Sequence, residues 1–341
     1  MKISRRTLVA ATLGLPLGTF ARSIDDQAEA PPLMELIRHP LLVDSLYRLA
    51  VSRDFTTDGA AGTNRQGYRW IEEQRQGVEW IVRGVATGHD DWTARGWREL
   101  DWGLAHQQRD GGFDSADAFH STSFFVEALA RGCVLDPPGA TASRLKGLAL
   151  GARWLMRRDI EARGAASNQP FTHRRYILAA AFGQAARATG DSDFSRKAIA
   201  WARQGLALQQ PDGTNPERGG YDTGYQIVGT LMALRYLPVC SDSKLRAQLR
   251  TMIRSAVVPE LTRIRADGSI DASGSTRIQH ERARNGKVKE VPYGEILQTL
   301  VYGARAEPQP DWLDPARRIA LYKKWLRPAP SVTLNKAKVA P

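Results

Sequence analysis

A nine-residue segment occurs twice in this chain, and its spacing sets the scale of the fold. Residues 103–111 read GLAHQQRDG and residues 205–213 read GLALQQPDG, so seven of the nine positions are identical. Their Asp-Gly pairs lie 102 residues apart, which is twice 51, and further Asp-Gly pairs lie 52 residues before the first and 55 residues after the second. Self-similarity at such a period is typical of repeated supersecondary units. The spacing predicts units of about 50 residues, each with two helices, a turn and a loop.

The segments between these turns have the apolar spacing of helices. Ile227, Leu231 and Leu234 recur at helical intervals, whereas alternating runs typical of strands are scarce. Breaks rich in Pro, Gly and Asp fall where a helical hairpin needs them. We predict an all-α fold, with five or six αα-hairpins in one domain at residues 32–326 and a basic flexible tail at residues 327–341. Such hairpins can close into a complete or incomplete ring, which hides both ends of the stack.

The first 21 residues have the pattern of an export signal. Arg5 and Arg6 follow a serine and precede a short apolar run that ends in small residues. The paired arginines resemble a bacterial twin-arginine signal, with a plain secretory signal as the alternative. We therefore predict that residues 1–21 are removed and that the mature chain is periplasmic or secreted.

The charge balance indicates an anionic partner. The chain has 48 Lys and Arg against 36 Asp and Glu, for a net charge of +12, and removal of residues 1–21 takes away three cations and lowers this to +9. Export largely excludes nucleic acid and leaves an envelope polymer or a lipid surface. No later stretch is long enough for a membrane span. Cys133 and Cys240 could pair in an oxidising compartment, and the oligomeric state stays open.

The repeated Gln-Gln-x-Asp-Gly turns, the period near 50 and the export signal resemble the (α/α) toroid enzymes of carbohydrate metabolism. Several polysaccharide lyase and glycoside hydrolase families have this architecture. The resemblance covers most of the mature chain and implies the toroid more specifically than any one activity. Terpene cyclases share the toroid, but their Asp-x-Asp-Asp signature is missing from this sequence. The partner that the resemblance and the charge imply is an acidic polysaccharide.

The repeat also places a candidate site. Tyr68, His120 and Asp222 each stand ten residues after the Asp of an Asp-Gly turn, so in a ring they would surround one mouth. Free N–H groups at the starts of helices attract carboxylates to such a mouth. The predicted catalytic residues are His120, His173, Tyr225 and Asp222. The predicted substrate-binding residues are Tyr68, Arg69, Asn168, Arg174, Tyr176, Tyr221, Gln226, Tyr293 and Glu295.

Structural roles compete with these functional ones. Asp, Ser and Thr at helix starts are commonly caps, which is the preferred interpretation of Asp117 and remains open for Asp222. Tyr176 and Tyr225 could be core residues with satisfied hydroxyl groups. A histidine adds little to a cap, which favours a functional role for the two histidines.

The residue types in the ring suit cleavage of a uronate polymer. β-Elimination needs a base, often Tyr or His, and donors that neutralise the adjacent carboxylate. Toroidal lyases resemble this chain in using Asn, His, Tyr and Arg, and a lyase is the leading hypothesis. The first alternative is a glycoside hydrolase, with Asp222 and either Asp117 or Glu295 as the two carboxyl groups. The second is a polysaccharide-binding protein without activity. We predict no cofactor and no metal site.

Overall fold

A computed structural model of the chain describes residues 31–49, 59–60, 71–283, 286–307 and 310–322. Within these ranges the chain is helical, with isolated β-bridges in the loops. The helices are α1 (Leu33–Ile37), α2 (Pro40–Asp44), α3 (Ile71–Gln74), α4 (Gly77–Thr87), α5 (Asp90–Ala105), α6 (Ala118–Leu135), α7 (Ala142–Leu155), α8 (Arg158–Asn168), α9 (Thr172–Thr189), α10 (Ser192–Leu206), α11 (Thr223–Tyr236), α12 (Ser243–Leu261), α13 (Tyr293–Ala306) and α14 (Leu313–Leu321). The predicted all-α fold is confirmed.

The helices form a ring with an inner and an outer layer. The inner helices α4, α6, α9, α11 and α13 contact one another in that order, and α1 and α2 contact both α13 and α4 and so close the ring. Helix α3 precedes α4 on the inner layer and packs on α6. The outer helices α5, α7, α10, α12 and α14 pack on the inner ones. The sequence therefore folds as an α/α toroid of five hairpins completed by its N-terminal helices.

Burial separates the two layers. Helix α11 buries twelve of its fourteen residues, because inner helices are covered by neighbours on both sides and by the outer layer. Helix α10 buries only five of fifteen, among them Phe194, Ala198 and Trp201. Their spacing of four and three residues gives one apolar stripe against the inner layer. This stripe is the periodic signal that the sequence displays.

The repeated turn joins α5 to α6 and α10 to α11, an outer helix to the next inner one in both cases. Asp110 and Asp212 each accept a hydrogen bond from the backbone N–H two residues later. The Gln107 side chain donates to the carbonyl of Gly111 and to that of Gly147 on α7, and Gln209 does the same toward α12. A Cβ on Gly111, whose φ is 97°, would lie 2.3 Å from a carbonyl oxygen of α7. At these two places the motif therefore fastens one unit to the next.

Several predictions concern parts of the chain outside the described residues. The export signal at residues 1–21 and the tail at residues 327–341 lie there, so both stay predictions. Cys133 and Cys240 are both buried and free in this structure. None of the described helices combines the length and the apolar character that a bilayer crossing requires.

Candidate active site

A cavity of about 930 Å³ lies at one end of the toroid and extends inward between the inner helices. Residues from the first turns of α6, α9, α11 and α13 line its mouth. Side chains of four predicted site residues line the cavity: His120, His173, Arg174 and Tyr225. Glu295 lines it as well, on the first turn of α13.

His173 forms a buried polar contact with Glu217 at the mouth. Its Nδ1 lies 2.9 and 2.8 Å from the two carboxylate oxygens of Glu217, and its backbone N–H donates to the same carboxylate at 2.8 Å. His173 is 2% exposed and Glu217 is 0% exposed. Because a carboxylate only accepts, Nδ1 carries the proton, and in the neutral ring Nε2 is left as an acceptor. Nε2 makes no hydrogen bond to the described residues.

Burial holds His173 in its neutral form. Removal from water lowers the pKa of His173 below its ordinary value, and the nearby cations Arg277 and Arg174 lower it further, while Glu217 acts in the opposite direction. A neutral imidazole with a fixed tautomer is the form that can accept a proton. The geometry and the charge therefore suit a general base.

The loop before α11 brings Glu217 to this position. Glu217 pairs with Phe171 across an isolated antiparallel bridge, and the N–H of Arg218 donates to the carbonyl of Pro170. Helix α9 has no cap from its own preceding residue. The carboxylate of Glu217 supplies that cap from the neighbouring unit. One side chain therefore caps the start of α9 and also orients His173.

Tyr225 and His120 flank the imidazole of His173. The ring of Tyr225 lies 4.5 Å from that of His173, measured between centroids, and the ring of His120 lies 6.2 Å away. The Arg277 guanidinium stacks on Tyr225 at 3.6 Å, and Lys289 approaches the same ring at 5.0 Å. Two histidines from α6 and α9 and one tyrosine from α11 therefore share one place in the cavity.

Cations outnumber acids on the cavity wall. Eight Arg and Lys side chains line it against six Glu side chains. At the mouth the cations are Arg174, Arg277, Arg282 and Lys289. Arg174 is held by Asp117 at 3.0 Å and by Asn168 at 3.1 Å, and Arg277 by Glu281 at 3.0 Å. The surroundings of His173 thus favour a ligand with a negative charge.

Asp222 is fully buried and both of its oxygens are used. One accepts from the backbone N–H of Tyr225 at 2.9 Å, and the other accepts from those of Arg277 and Ile278 at 2.7 and 2.9 Å. Asp222 thus caps α11 and anchors the loop that carries Arg277 across the mouth. Asp222 is therefore a helix cap and not a catalytic residue, because neither of its oxygens remains for a substrate.

The other predicted binding residues occupy supporting positions. Tyr176 is completely buried beside Gly205 and does not line the cavity. Gln226 bonds backbone groups of Asn215, Gly213 and Ala256. The remaining members of the predicted set that do not line the cavity are Asn168, which holds Arg174, Tyr221, which bonds Glu260, and Tyr293, whose hydroxyl accepts from the N–H of Ile270. Tyr68 and Arg69 lie outside the described residues.

A second charged group lies deeper in the cavity. The axial network consists of Glu79, Glu127, Arg131, Arg235 and Gln298. Arg131 bonds Glu127 at 2.9 Å and Glu79 at 3.0 Å, and Arg235 bonds Gln298 at 3.0 Å. Burial opposes ionisation of Glu79, but Arg131 and Arg235 outweigh it and lower the pKa of Glu79 to about 2. This carboxylate is therefore ionised throughout the ordinary pH range.

Glu295 has the opposite character. It lies in the first turn of α13 and lines the cavity. Burial raises the pKa of Glu295, and the charge of Glu79 raises it further, whereas Arg75 and Arg235 act against the shift. A carboxyl with a raised pKa next to one with a lowered pKa is the pattern of an acid and its ionised partner.

Among the residues that the structure describes, no group of three or more His, Cys, Asp or Glu side chains could hold a metal ion.

Glu260 behind the mouth makes protein stability depend on pH. It is 0% exposed and bonds the hydroxyl of Tyr221 at 2.5 Å. Burial raises the pKa of Glu260 from 4.5 to about 8. Between these values the folded chain retains a proton that the unfolded chain has lost, so the free energy of unfolding falls with rising pH, by about 1.4 kcal/mol per unit from this group.

Replacement of Glu260 by glutamine, which stays neutral, is expected to remove this decline. In denaturant unfolding at several pH values, the stability of Glu260→Gln relative to the wild type should increase as the pH rises through this window. Glu161→Gln, in an ion pair with Lys197 on the outer layer, is the matched control. Equal pH slopes for the wild type and Glu260→Gln would contradict the prediction.

Several residues of the site were missed by the sequence analysis. Glu217 stands in a loop segment rich in charges, and nothing in its spacing relates it to His173. Arg277 lies in the long insertion before α13, whose path the repeat does not describe. Arg131 and Arg235 did have a usable signal, because each is a charged residue near the end of an otherwise apolar inner helix.

No protein-family model matches the sequence, and no curated protein matches it either. Solved structures are similar in fold. An unsaturated glucuronyl hydrolase from Bacillus sp. GL1, described as responsible for the degradation of glycosaminoglycan, has a TM-score of 0.52 and 15% identity, over 86% of this chain and 85% of that chain. A structure described as UGL with dGlcA-Glc-Rha-Glc has a TM-score of 0.53 and 15% identity, over 85% of this chain and 83% of that chain. The likeness establishes the α/α toroid fold.

Proposed function

We propose that this protein cleaves an acidic, uronate-containing polysaccharide by β-elimination at the mouth of the toroid. The observation that carries the proposal is His173, which Glu217 fixes through Nδ1 and burial keeps neutral, with its ring beside that of Tyr225 and near the charges of Arg174 and Arg277. Elimination needs this combination because the proton to be removed lies next to a carboxylate, whose charge must first be balanced.

The steps follow from the positions of these groups. Arg174 and Arg277 bind the carboxylate of the uronate. Nε2 of His173 takes the proton from the carbon that bears this carboxylate. The electron pair then forms a double bond in the sugar ring as the bond to the glycosidic oxygen breaks, and the hydroxyl of Tyr225 donates a proton to that oxygen. His173 returns its proton through solvent, and Tyr225 is reprotonated.

Two further observations support an acidic carbohydrate as the substrate. The cavity wall has more cations than acids, which attracts a polyanion. The similar structures carry descriptions that name glucuronyl or dGlcA groups, so the same fold accommodates acidic sugars in those proteins. Export of the mature chain, as the first 21 residues predict, would bring it to such a polymer.

Hydrolysis is the second candidate, because Glu295 and Glu79 offer a raised and a lowered pKa in the same cavity. The similar structures also include a hydrolase by description. In this alternative Glu295 would protonate the leaving oxygen, and Glu295→Gln would abolish turnover. In the lyase mechanism Glu295 takes no proton, and the same variant changes binding more than turnover.

A panel of polymers distinguishes these reactions. The purified protein is incubated with alginate, polygalacturonate and hyaluronan while the ultraviolet absorbance of unsaturated uronate and the number of reducing ends are followed together. We expect both signals to rise in parallel for at least one polymer. New reducing ends without the absorbance would establish hydrolysis instead, and binding without either signal would indicate a non-catalytic protein.

A further inference from the structure

A tight turn places Arg218 beside the mouth. Residues 217–220 form a two-residue hairpin, in which the N–H of Glu217 donates to the carbonyl of Gly220 at 2.7 Å and the reverse bond is 3.3 Å long. The backbone angle φ is 53° at Arg218 and 84° at Gly219. Positive values at both central positions are typical of a type I′ turn, whose first position is usually Asn, Asp or Gly.

The stability of the fold does not explain an arginine at this position. Positive φ brings the Cβ of a non-glycine residue close to neighbouring backbone atoms, which is unfavourable. The side chain of Arg218 is 55% exposed and forms an ion pair with Glu281 at 3.0 Å. An ion pair so exposed contributes little to stability. Backbone strain without a matching gain in stability is typical of a residue that serves binding.

Contacts on both sides fix the position of this turn. The N–H of Arg218 donates to the carbonyl of Pro170 at 2.7 Å, directly before α9. The hydroxyl of Thr276, in the loop before α13, donates to the carbonyl of Glu217 at 2.9 Å. Arg218 is therefore held between the two segments that carry Arg174 and Arg277.

Three guanidinium groups surround one aromatic ring here. The rim cluster consists of Phe171, Arg174, Arg218 and Arg277. The guanidinium carbon lies 4.5 Å from the centre of the Phe171 ring in Arg174, 4.7 Å in Arg277 and 5.7 Å in Arg218. Arg174 and Arg277 line the cavity, whereas Arg218 does not. The rim cluster therefore extends from the cavity wall to the surface outside the mouth.

Glu281 fixes the cations without balancing all of their charge. One of its carboxylate oxygens accepts from Arg277 at 3.0 Å and from Lys289 at 2.6 Å, and the other pairs with Arg218. Arg277 also contacts Glu217 at 3.4 Å. Two carboxylates thus face three cations, which leaves positive charge for a ligand.

We infer that the rim cluster binds the carboxylate of the sugar next to the one that is cleaved, with Arg218 as the residue that contacts it. This inference rests on the proposed function and deepens it. In the proposed reaction Arg174 and Arg277 bind the carboxylate of the cleaved uronate. Arg218 is the neighbouring cation on the outer side, so the part of the chain that leaves the mouth passes it. The preferred substrate therefore has uronates on consecutive sugars.

Binding without turnover tests this inference. Alginate and polygalacturonate have a uronate at every sugar, whereas hyaluronan has one at every second sugar. His173→Ala protein is titrated with oligosaccharides of equal length from each polymer. Addition of Arg218→Gly should lower the affinity for the two polyuronates by about 10-fold, as expected for the loss of a charge-assisted hydrogen bond, and should affect hyaluronan much less. Equal losses for all three, no loss for the polyuronates, or no binding of any of them to the His173→Ala parent would overturn the inference.

Glycine makes this substitution a clean one. Because glycine adopts positive φ readily, Arg218→Gly should unfold at a denaturant concentration no lower than its parent. Arg196→Gln removes an arginine from the outer helix α10, where its side chain is 70% exposed, and is the matched control that should bind like its parent. Lower stability of Arg218→Gly together with unchanged affinity would assign Arg218 a structural role and overturn the inference.

Turnover separates the inference from the proposed function. With His173 in place, Arg218→Gly should raise KM for the polyuronates more than it lowers kcat, because the sugar that it contacts does not react. Turnover of polyuronates that is independent of Arg218 would overturn the inference and leave the elimination chemistry intact. Binding that depends on Arg218, with no turnover of any polymer, would overturn the proposed function alone.

Discussion

Replacing His173 by alanine is expected to lower elimination by about 10²- to 10⁴-fold, the usual contribution of a general base. The reason is that the imidazole of His173 is the proposed proton acceptor, with its ring 4.5 Å from that of Tyr225, and the rest of the site keeps its charges when the imidazole is removed. The change should appear in kcat more than in KM. The measurement is the initial rate of unsaturated product formation at saturating polymer.

His89→Ala is the control, because His89 lies exposed at the start of an outer helix, away from the cavity. It should retain the wild-type rate. Glu217→Gln tests the positioning of His173 separately. Since Glu217 raises the pKa of His173, its loss should move the acidic limb of the pH-rate profile to lower pH. A His173→Ala rate within a few-fold of the wild type would remove His173 from the mechanism.

The second large effect is on stability. Arg131→Met is expected to lower the free energy of unfolding by about 3 to 5 kcal/mol, because it leaves the buried carboxylate of Glu127 and that of Glu79 without their closest partner. Removal of one partner of a buried pair costs more than removal of both, since the remaining charge stays out of water. Denaturant unfolding at neutral pH measures the change.

Two comparisons make this prediction specific. Arg153→Met breaks an ion pair with Asp191 on the outer surface, where Arg153 is 59% exposed, and should change stability by less than about 1 kcal/mol. The double variant Arg131→Met with Glu127→Gln should recover part of the loss, because one stranded charge is removed. Equal effects of Arg131→Met and Arg153→Met would contradict a buried role for the network.

The repeat carried most of the fold prediction. The duplicated turn around Asp110 and Asp212 gave the period, the helical hairpins and the ring, because its Gln and Gly residues make the contacts that join one unit to the next. It also indicated which helix ends share a mouth, and it led to His120 and His173. These features are local or periodic, and the sequence displays such features directly.

The polar contacts between units could not be predicted from the sequence. Glu217 and His173 are 44 residues apart, and their pairing depends on how one loop crosses the start of a neighbouring helix. Asp222 and Tyr225 illustrate the same limit of sequence-based prediction, because both follow the same turn. The carboxylate of Asp222 accepts hydrogen bonds from backbone N–H groups, whereas Tyr225 lines the cavity. A position in the repeat does not specify the direction of a side chain.

The mass of the first product released from a uronate chain tests the central claim most directly. Elimination at the mouth of the cavity is expected to give, on the reducing-end side of the cut, a fragment with an unsaturated uronate that is lighter by one water than the corresponding hydrolysis product. The fragment should be absent when His173→Ala replaces the wild type. Fragments on the reducing-end side that have the full hydrolytic mass, formed equally by the wild type and by His173→Ala, would contradict the proposed role of His173.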